Sequence, residues 1–261
     1  MKRDDLLWRM DLNYFEMNRE HTRHTAGGEV VDLESLTCVW MPHGEPIHNM
    51  AVVRGPLDVA ALDRATDRCY REKGRHFSLF LRAHADQKLE AALESSSRYR
   101  YVFSTPGMAL LPGDWRGAPV PPDLTIRPVR TEAECLAYGE LMAEAYSVYG
   151  ISRDAVRPFF TRVDSLASPH VQGFLGYVDK RPVTGAILYE SHGVAGVGWV
   201  GTHPEFFGRR YAEAVTGAVV DEGFRRGLAA ASLQASPMGR PVYARMGFET
   251  PTEYKMFLPL E

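Results

Sequence analysis

The segment Leu124-Thr125-Ile126-Arg127-Pro128-Val129 alternates apolar and polar positions, and this two-residue period predicts a strand. Thr131 and Glu134 follow at capping-box spacing, so a helix opens there. Its apolar positions Cys135, Leu136, Tyr138, Leu141, Met142 and Ala145 recur on one face. A second helix is expected over 154–166. Three strand-like runs come next, at 171–178, 183–189 and 196–202. The last of these contains Gly196, Gly198 and Gly201, which signals a bulge or a close approach of another backbone. A helix over 207–226 stops at Gly227, a strand covers 229–234, a short helix over 239–246 stops at Gly247, and a strand covers 253–258. The predicted order is β-α-α-β-β-β-α-β-α-β.

The first half is patterned more weakly. Strands are expected at 35–41 and 47–54. A helix is expected over 57–73, with Leu57, Ala60, Ala61, Ala65 and Cys69 on one side. A strand at 77–82, a helix at 86–95 and a strand at 99–104 follow. A helical extension starting at Trp8 or Asp11 and ending near His24 precedes them. Between the halves, residues 106–122 are dense in proline and glycine. That composition opposes both helix and strand ladders, so the segment reads as a semi-rigid linker between two domains.

Composition adds exclusions. The 261 residues carry a formal net charge of −3, which gives no electrostatic reason to expect nucleic acid as a partner. No apolar run is long enough to cross a bilayer, and the first residues lack the features of a secretory leader. Cys38, Cys69 and Cys135 form neither a disulfide framework nor a paired metal motif, so a reduced, cytoplasmic setting is expected. His21, His24, His43 and His48 match no ligand spacing, and no metal site is expected.

The chemistry concentrates in residues 198–248. A glycine-rich strand end, Val200-Gly201-Thr202, runs through a turn into a helix, and a helix start offers free N–H groups to an anion such as a pyrophosphate. Downstream stands Ser236-Pro237-Met238-Gly239-Arg240-Pro241-Val242-Tyr243-Ala244-Arg245-Met246-Gly247-Phe248. In order and spacing these segments resemble the acyl-CoA-binding half of the GNAT superfamily of acyltransferases, and the resemblance covers about 124–258. It implies an α+β (three-layer α/β) fold, a mixed and mainly antiparallel sheet flanked by helices. The first half echoes the second without a phosphate turn. The expected division is therefore a degenerate GNAT-like domain over 1–105, a linker over 106–122 and the acyl-CoA-binding domain over 123–261, two similar domains in tandem.

The resemblance also implies roles. The family's phosphate turn, Gln/Arg-x-x-Gly-x-Gly/Ala, falls on Phe207-Gly208-Arg209-Arg210-Tyr211-Ala212. Gly208 and Ala212 fit it, Phe207 replaces the first Gln/Arg, and Arg210 replaces the central glycine. Arg209 and Arg210 either pair with phosphates or lie in solvent. Backbone groups of Val200 to Thr202 would pair with the pantetheine arm. Ser236 and Gly239 take positions held by Asn and Ala in the family, and Tyr243 takes that of the tyrosine that protonates the leaving thiolate. A base for the amine is sought among Glu190, His192, His203 and Glu205, with Glu190 ranked first. Acceptor selection is expected from 143–160, which holds Tyr146, Tyr149, Arg153, Phe159 and Phe160. The activity implied is transfer of an acetyl or other acyl group from acyl-CoA to the amine of a small molecule in a ternary complex. Arg210 and the missing strand carboxylate keep open a weakened module that binds CoA or a protein partner. Acylation of a protein terminus or lysine ranks lower, because no dense acidic cluster accompanies the cleft segments.

Overall fold

The computed structural model describes residues 1–42, 45 and 48–260. Within the N-terminal half it contains helix α1 (Arg3–Arg23), strands β1 (Glu29–Asp32), β2 (Leu36–Trp40) and β3 (Met50–Val53), helix α2 (Val59–Cys69), strand β4 (Ser78–Arg82), helix α3 (Gln87–Glu94) and strand β5 (Tyr99–Leu110). Then come β6 (Thr125–Pro128), α4 (Glu132–Ser147), α5 (Arg153–Val156), β7 (Ala167–Ser168), β8 (Val171–Val178), β9 (Arg181–Ser191), β10 (Val194–Thr202), α6 (Tyr211–Arg225), β11 (Ala230–Gln234), α7 (Arg240–Arg245) and β12 (Glu249–Pro259). His43 and Ile47, which figured in the expectations above, lie outside the described residues.

One mixed sheet runs through both halves in the order β1-β2-β3-β4-β12-β5-β11-β10-β9-β8-β6, with β7 paired to β8. Its centre is an exchange. In the N-terminal half β1, β2 and β3 are antiparallel neighbours, and β3 lies parallel to β4 across a connection containing α2. In the C-terminal half β8, β9 and β10 repeat that arrangement, and β10 lies parallel to β11 across a connection containing α6. The strand beside β4 is β12, from the end of the chain, and the strand beside β11 is β5, from the first half. These two closing strands also pair with each other. Each half therefore completes its sheet with a strand from the other.

This exchange corrects the reading of 106–122. Residues 106–110 belong to β5, and only 111–122 lack helix and strand. Pro106 enters the ladder through its carbonyl, which accepts from the Ala235 N–H at 2.9 Å, so its missing N–H breaks no bond there. Gly107 makes room for a neighbour: a Cβ on it would sit 2.7 Å from Cε2 of Tyr254. The Pro-Gly pair is strand chemistry here, although in sequence it reads as a turn.

Helices cover both faces of the sheet. On one face of the C-terminal half, α6 sets Val215, Val219 and Val220 against Ala186, Leu188, Ala195 and Val197. On the opposite face α4 sets Tyr138, Leu141 and Met142 against Ile187 and Tyr189. Helix α1 extends that second layer across the junction. Its Tyr14 and Phe15 pack on Val39, Val52 and Phe80 of the first half. Its Asn13 donates to the carbonyls of Tyr189 (3.0 Å) and Val194 (3.2 Å) in the second half. Gly196 permits this approach, because any Cβ there would collide with the Asn13 amide.

Local chemistry explains most element ends. Thr131 and Glu134 form the complete capping box at the start of α4. Helix α1 starts at Arg3, ahead of Trp8 and Asp11, and α2 covers only 59–69 of the expected 57–73; two further differences have a local cause. The helix expected over 154–166 is the four-residue α5 followed by 3₁₀ turns over Arg157–Phe160 and Val163–Ser165, because Pro158 cannot continue an α-helix. The helix expected from 207 starts at Tyr211, because Gly208 (φ +78°) and Arg210 (φ +63°) take left-handed conformations before it.

Candidate active site

Strands β10 and β11 pair in parallel only where residues 194–196 meet 230–232. Beyond that point β10 slips register against β9 between Gly198 and Gly201, and Trp199 sits in the irregularity at φ +47°. The Trp199 carbonyl is held by the Tyr138 hydroxyl at 2.7 Å. The separated strand ends open a cleft of about 320 Å³. Its walls are Val200 to Thr202 of β10, the start of α6, the start of α7 with Ser236, and Tyr146 and Tyr149 near the end of α4.

The turn before α6 forms one wall. No side chain caps this helix. The N–H groups of Tyr211, Ala212 and Glu213 have no acceptor among the described residues. They carry the positive end of a 15-residue helix. The helix that follows β3 in the first half starts differently: Asp58 caps α2, accepting from the Ala61 N–H at 2.7 Å, and its carboxylate would repel an anion. Arg210 adopts the left-handed conformation that glycine takes without strain, so the turn keeps its shape. Its guanidinium forks onto Glu213, with Nη2–Oε1 2.6 Å and Nε–Oε2 3.0 Å. Phe207, Gly208, Arg210, Tyr211 and Ala212 all line the cleft. Arg209 does not; its guanidinium lies 5.2 Å from the ring centre of Phe206.

Tyr243 projects from α7 into the same cleft. The residue is buried, and burial pushes its phenol pKa well above the ordinary value, so the group is neutral at physiological pH. Its hydroxyl makes no hydrogen bond among the described residues, whereas the ring is tightly seated. A Cβ on Gly239 would lie 2.7 Å from Tyr243 Cε2 and 3.3 Å from Ser236 Oγ. Ser236 Oγ accepts from the Gly239 N–H at 3.1 Å and contacts the Tyr149 hydroxyl at 3.0 Å. These contacts fix the first turn of α7 against the cleft.

Glu190 does not reach this place. Alternation along β9 sends it to the α6 side, where Arg226 Nη1 holds its carboxylate at 3.0 Å near the far end of that helix. Glu205 pairs with Arg181 at 2.9 Å, His203 contacts the same guanidinium at 3.1 Å, and neither lines the cleft; nor does His192. Among the described lining residues Glu213 is the only carboxylate. Of the expected acceptor segment, Tyr146 and Tyr149 face the cleft, Arg153 pairs with Glu144, and Phe159 and Phe160 are buried. Sequence reasoning missed Met17, Trp199, Gln234, Val242 and Arg245. Trp199 carried a signal, standing between the glycines of β10, and Met17 carried none. His21 and His48 pack around Trp199 and Phe159, and burial lowers their pKa values to about 3 and about 4. Among the described residues no group of three or more His, Cys, Asp or Glu is arranged to hold a metal.

Known structures share this arrangement of sheet and helices. A GCN5-related N-acetyltransferase from Kribbella flavida superposes with a TM-score of 0.69 at 20% identity, over 90% of this chain and 90% of that one. A tandem GNAT protein from the clavulanic acid biosynthesis pathway superposes at 0.61 with 15% identity, over 85% and 77% of the two chains. A GCN5-related N-acetyltransferase from Sphaerobacter thermophilus gives 0.57 and 17%, over 87% and 81%. No protein-family model and no curated protein sequence matches the chain. The chain thus has the GCN5-related N-acetyltransferase fold, and the likeness spans both halves.

Proposed function

We propose that the protein is an acyltransferase that moves an acetyl or other acyl group from acyl-CoA to the amine of a small molecule, with both substrates bound together. The observation that carries this reading is the uncapped start of α6 opening into the same cleft as the unpartnered hydroxyl of Tyr243. The cleft fits the co-substrate chemically. The free N–H groups at Tyr211, Ala212 and Glu213 suit a pyrophosphate, and the strand end Val200 to Thr202 suits an extended amide-bearing arm. Acyl-CoA supplies an activated thioester. The amine forms the new C–N bond as the C–S bond breaks, and Tyr243 donates its proton to the departing thiolate. The amine gives up its proton to solvent, because the single carboxylate among the described lining residues is engaged by Arg210. We further propose that the halves form a tandem pair, that only the second keeps a phosphate site, and that the protein works in the cytoplasm.

The fork between Arg210 and Glu213 supports a second reading, a module in which cofactor binding is weakened. It places a carboxylate beside the helix start and engages Arg210, a cation of the cleft lining. Calorimetric titration with acetyl-CoA, paired with thiol-release assays over an amine panel, separates the two. The enzyme reading expects binding by the native protein, equal binding by Tyr243→Phe, and a loss of about 10²-fold or more in thiol release by that variant. Glu213→Gln is expected to tighten binding by freeing Arg210. Binding by Glu213→Gln alone favours the weakened module, and binding by neither protein refutes both readings.

A further inference from the structure

Past Tyr243 the cleft continues into a smaller cavity of about 160 Å³. The two spaces share Tyr146, Tyr149, Ser236 and Tyr243 as lining, so the smaller one begins where the proposed acyl transfer occurs. Its lining joins both halves of the molecule: it includes Met17 from α1, Trp199 from the β10 irregularity and Gln234 of β11. Met17 lies close to β10, since a Cβ on Gly198 would lie 3.0 Å from its Sδ. No Asp, Glu, Lys, Arg or His is among its described lining residues. The layer behind is also uncharged. Trp199 lies against His21 (ring centres 5.0 Å apart) and His48 (6.1 Å), and both imidazoles are buried and neutral at physiological pH. On α1, Glu20 is turned to His170 (3.0 Å) and Arg23 (2.5 Å), and Glu16 is paired with Arg19 (2.8 Å).

We propose that this cavity is the acceptor pocket, that it takes a compact apolar or aromatic group bearing one amine, and that Met17 and Gln234 set this preference. The proposal rests on the acyl-transfer reading and names the substrate class for it. The volume suits a group of about benzene size, since an apolar cavity of roughly 150 Å³ accommodates benzene. The amine end stays toward Tyr243 and the open cleft, and the remainder enters the pocket. A carboxylate or second ammonium carried inward loses its water and meets no opposite charge, so such acceptors are rejected. Gln234 and Ser236 offer neutral hydrogen-bond partners at the pocket's edge.

The test is direct calorimetry of amine binding, with and without CoA, using butylamine, 1,4-diaminobutane, phenethylamine and phenylalanine, beside acetyl-CoA titration and thiol release. Butylamine and phenethylamine are expected to bind at least about tenfold more tightly than their doubly functional counterparts. Gln234→Glu, an isosteric change, and Met17→Glu each place a carboxylate in the pocket and are expected to reverse the order of butylamine and 1,4-diaminobutane while acetyl-CoA binding is unchanged. Equal binding of phenylalanine and phenethylamine, no binding of any amine, or an unaltered order in folded Gln234→Glu overturns the pocket assignment. The predicted preference without thiol release upholds the pocket and defeats the acyl-transfer reading instead.

Discussion

Deleting residues 249–261 removes β12 and touches no residue of the N-terminal half, yet that half is the part expected to unfold. Strand β12 lies between β4 and β5, and it is the strand that joins β4 to the rest of the sheet. It delivers Tyr254, Met256 and Phe257, with relative exposures of 1%, 5% and 0%, into the two cores on either face of β4. Truncating a large buried side chain costs about 2–5 kcal/mol, so losing three costs about 6–15 kcal/mol. That matches the whole stability of an ordinary domain, about 5–15 kcal/mol. The buried carboxylate of Asp11 also loses the Tyr254 hydroxyl, which donates to it at 2.9 Å. Strand β5 keeps its ladder to β11, so the C-terminal half retains its sheet. Amide hydrogen exchange read by mass spectrometry distinguishes the halves. Protection is expected to vanish over α2 and β4 and to persist over β8, β9 and β10. Phe257→Ala is a graded version, expected to destabilise by about 3–5 kcal/mol without loss of fold. Undiminished protection of β4 in the truncated chain would refute the exchange as the source of the first half's stability.

Two other outcomes follow from single positions. Gly239→Ala puts a methyl group 2.7 Å from Tyr243 Cε2, so the ring must shift; thiol release is expected to fall about 10²-fold while calorimetry finds acetyl-CoA affinity little changed. His21 and His48 are held neutral by burial, at about 3 and about 4 against 6.5, so the unfolded chain binds protons that the folded one refuses. Stability from these two groups is therefore flat above about pH 6.5 and falls below it, by about 2 kcal/mol together between pH 6.5 and 5.5. Melting curves at pH 7.5 and 5.5 measure this, and His48→Phe is expected to reduce the fall by about half.

Features set by neighbouring residues were legible in the sequence. The capping box at Thr131 and Glu134, the stop at Gly227, and the succession of strands and helices over 171–234 need only local hydrogen bonding and apolar periodicity. The turn before α6 was legible for the same reason, because its residues Phe207 to Ala212 are consecutive in the chain. Tertiary structure decided what depends on a partner distant in sequence. Pro106-Gly107 became strand because β12 and β11 supply ladders on both sides and Tyr254 needs the space above Gly107. Glu190 turned from the cleft because the pleat of β9 and Arg226 claim it. Met17 reached the smaller cavity because α1 bridges the two halves. Periodicity in a single chain records which face of an element is apolar; it does not record which other element will cover that face, and the exchange of closing strands and the lining of the cleft both turn on that choice.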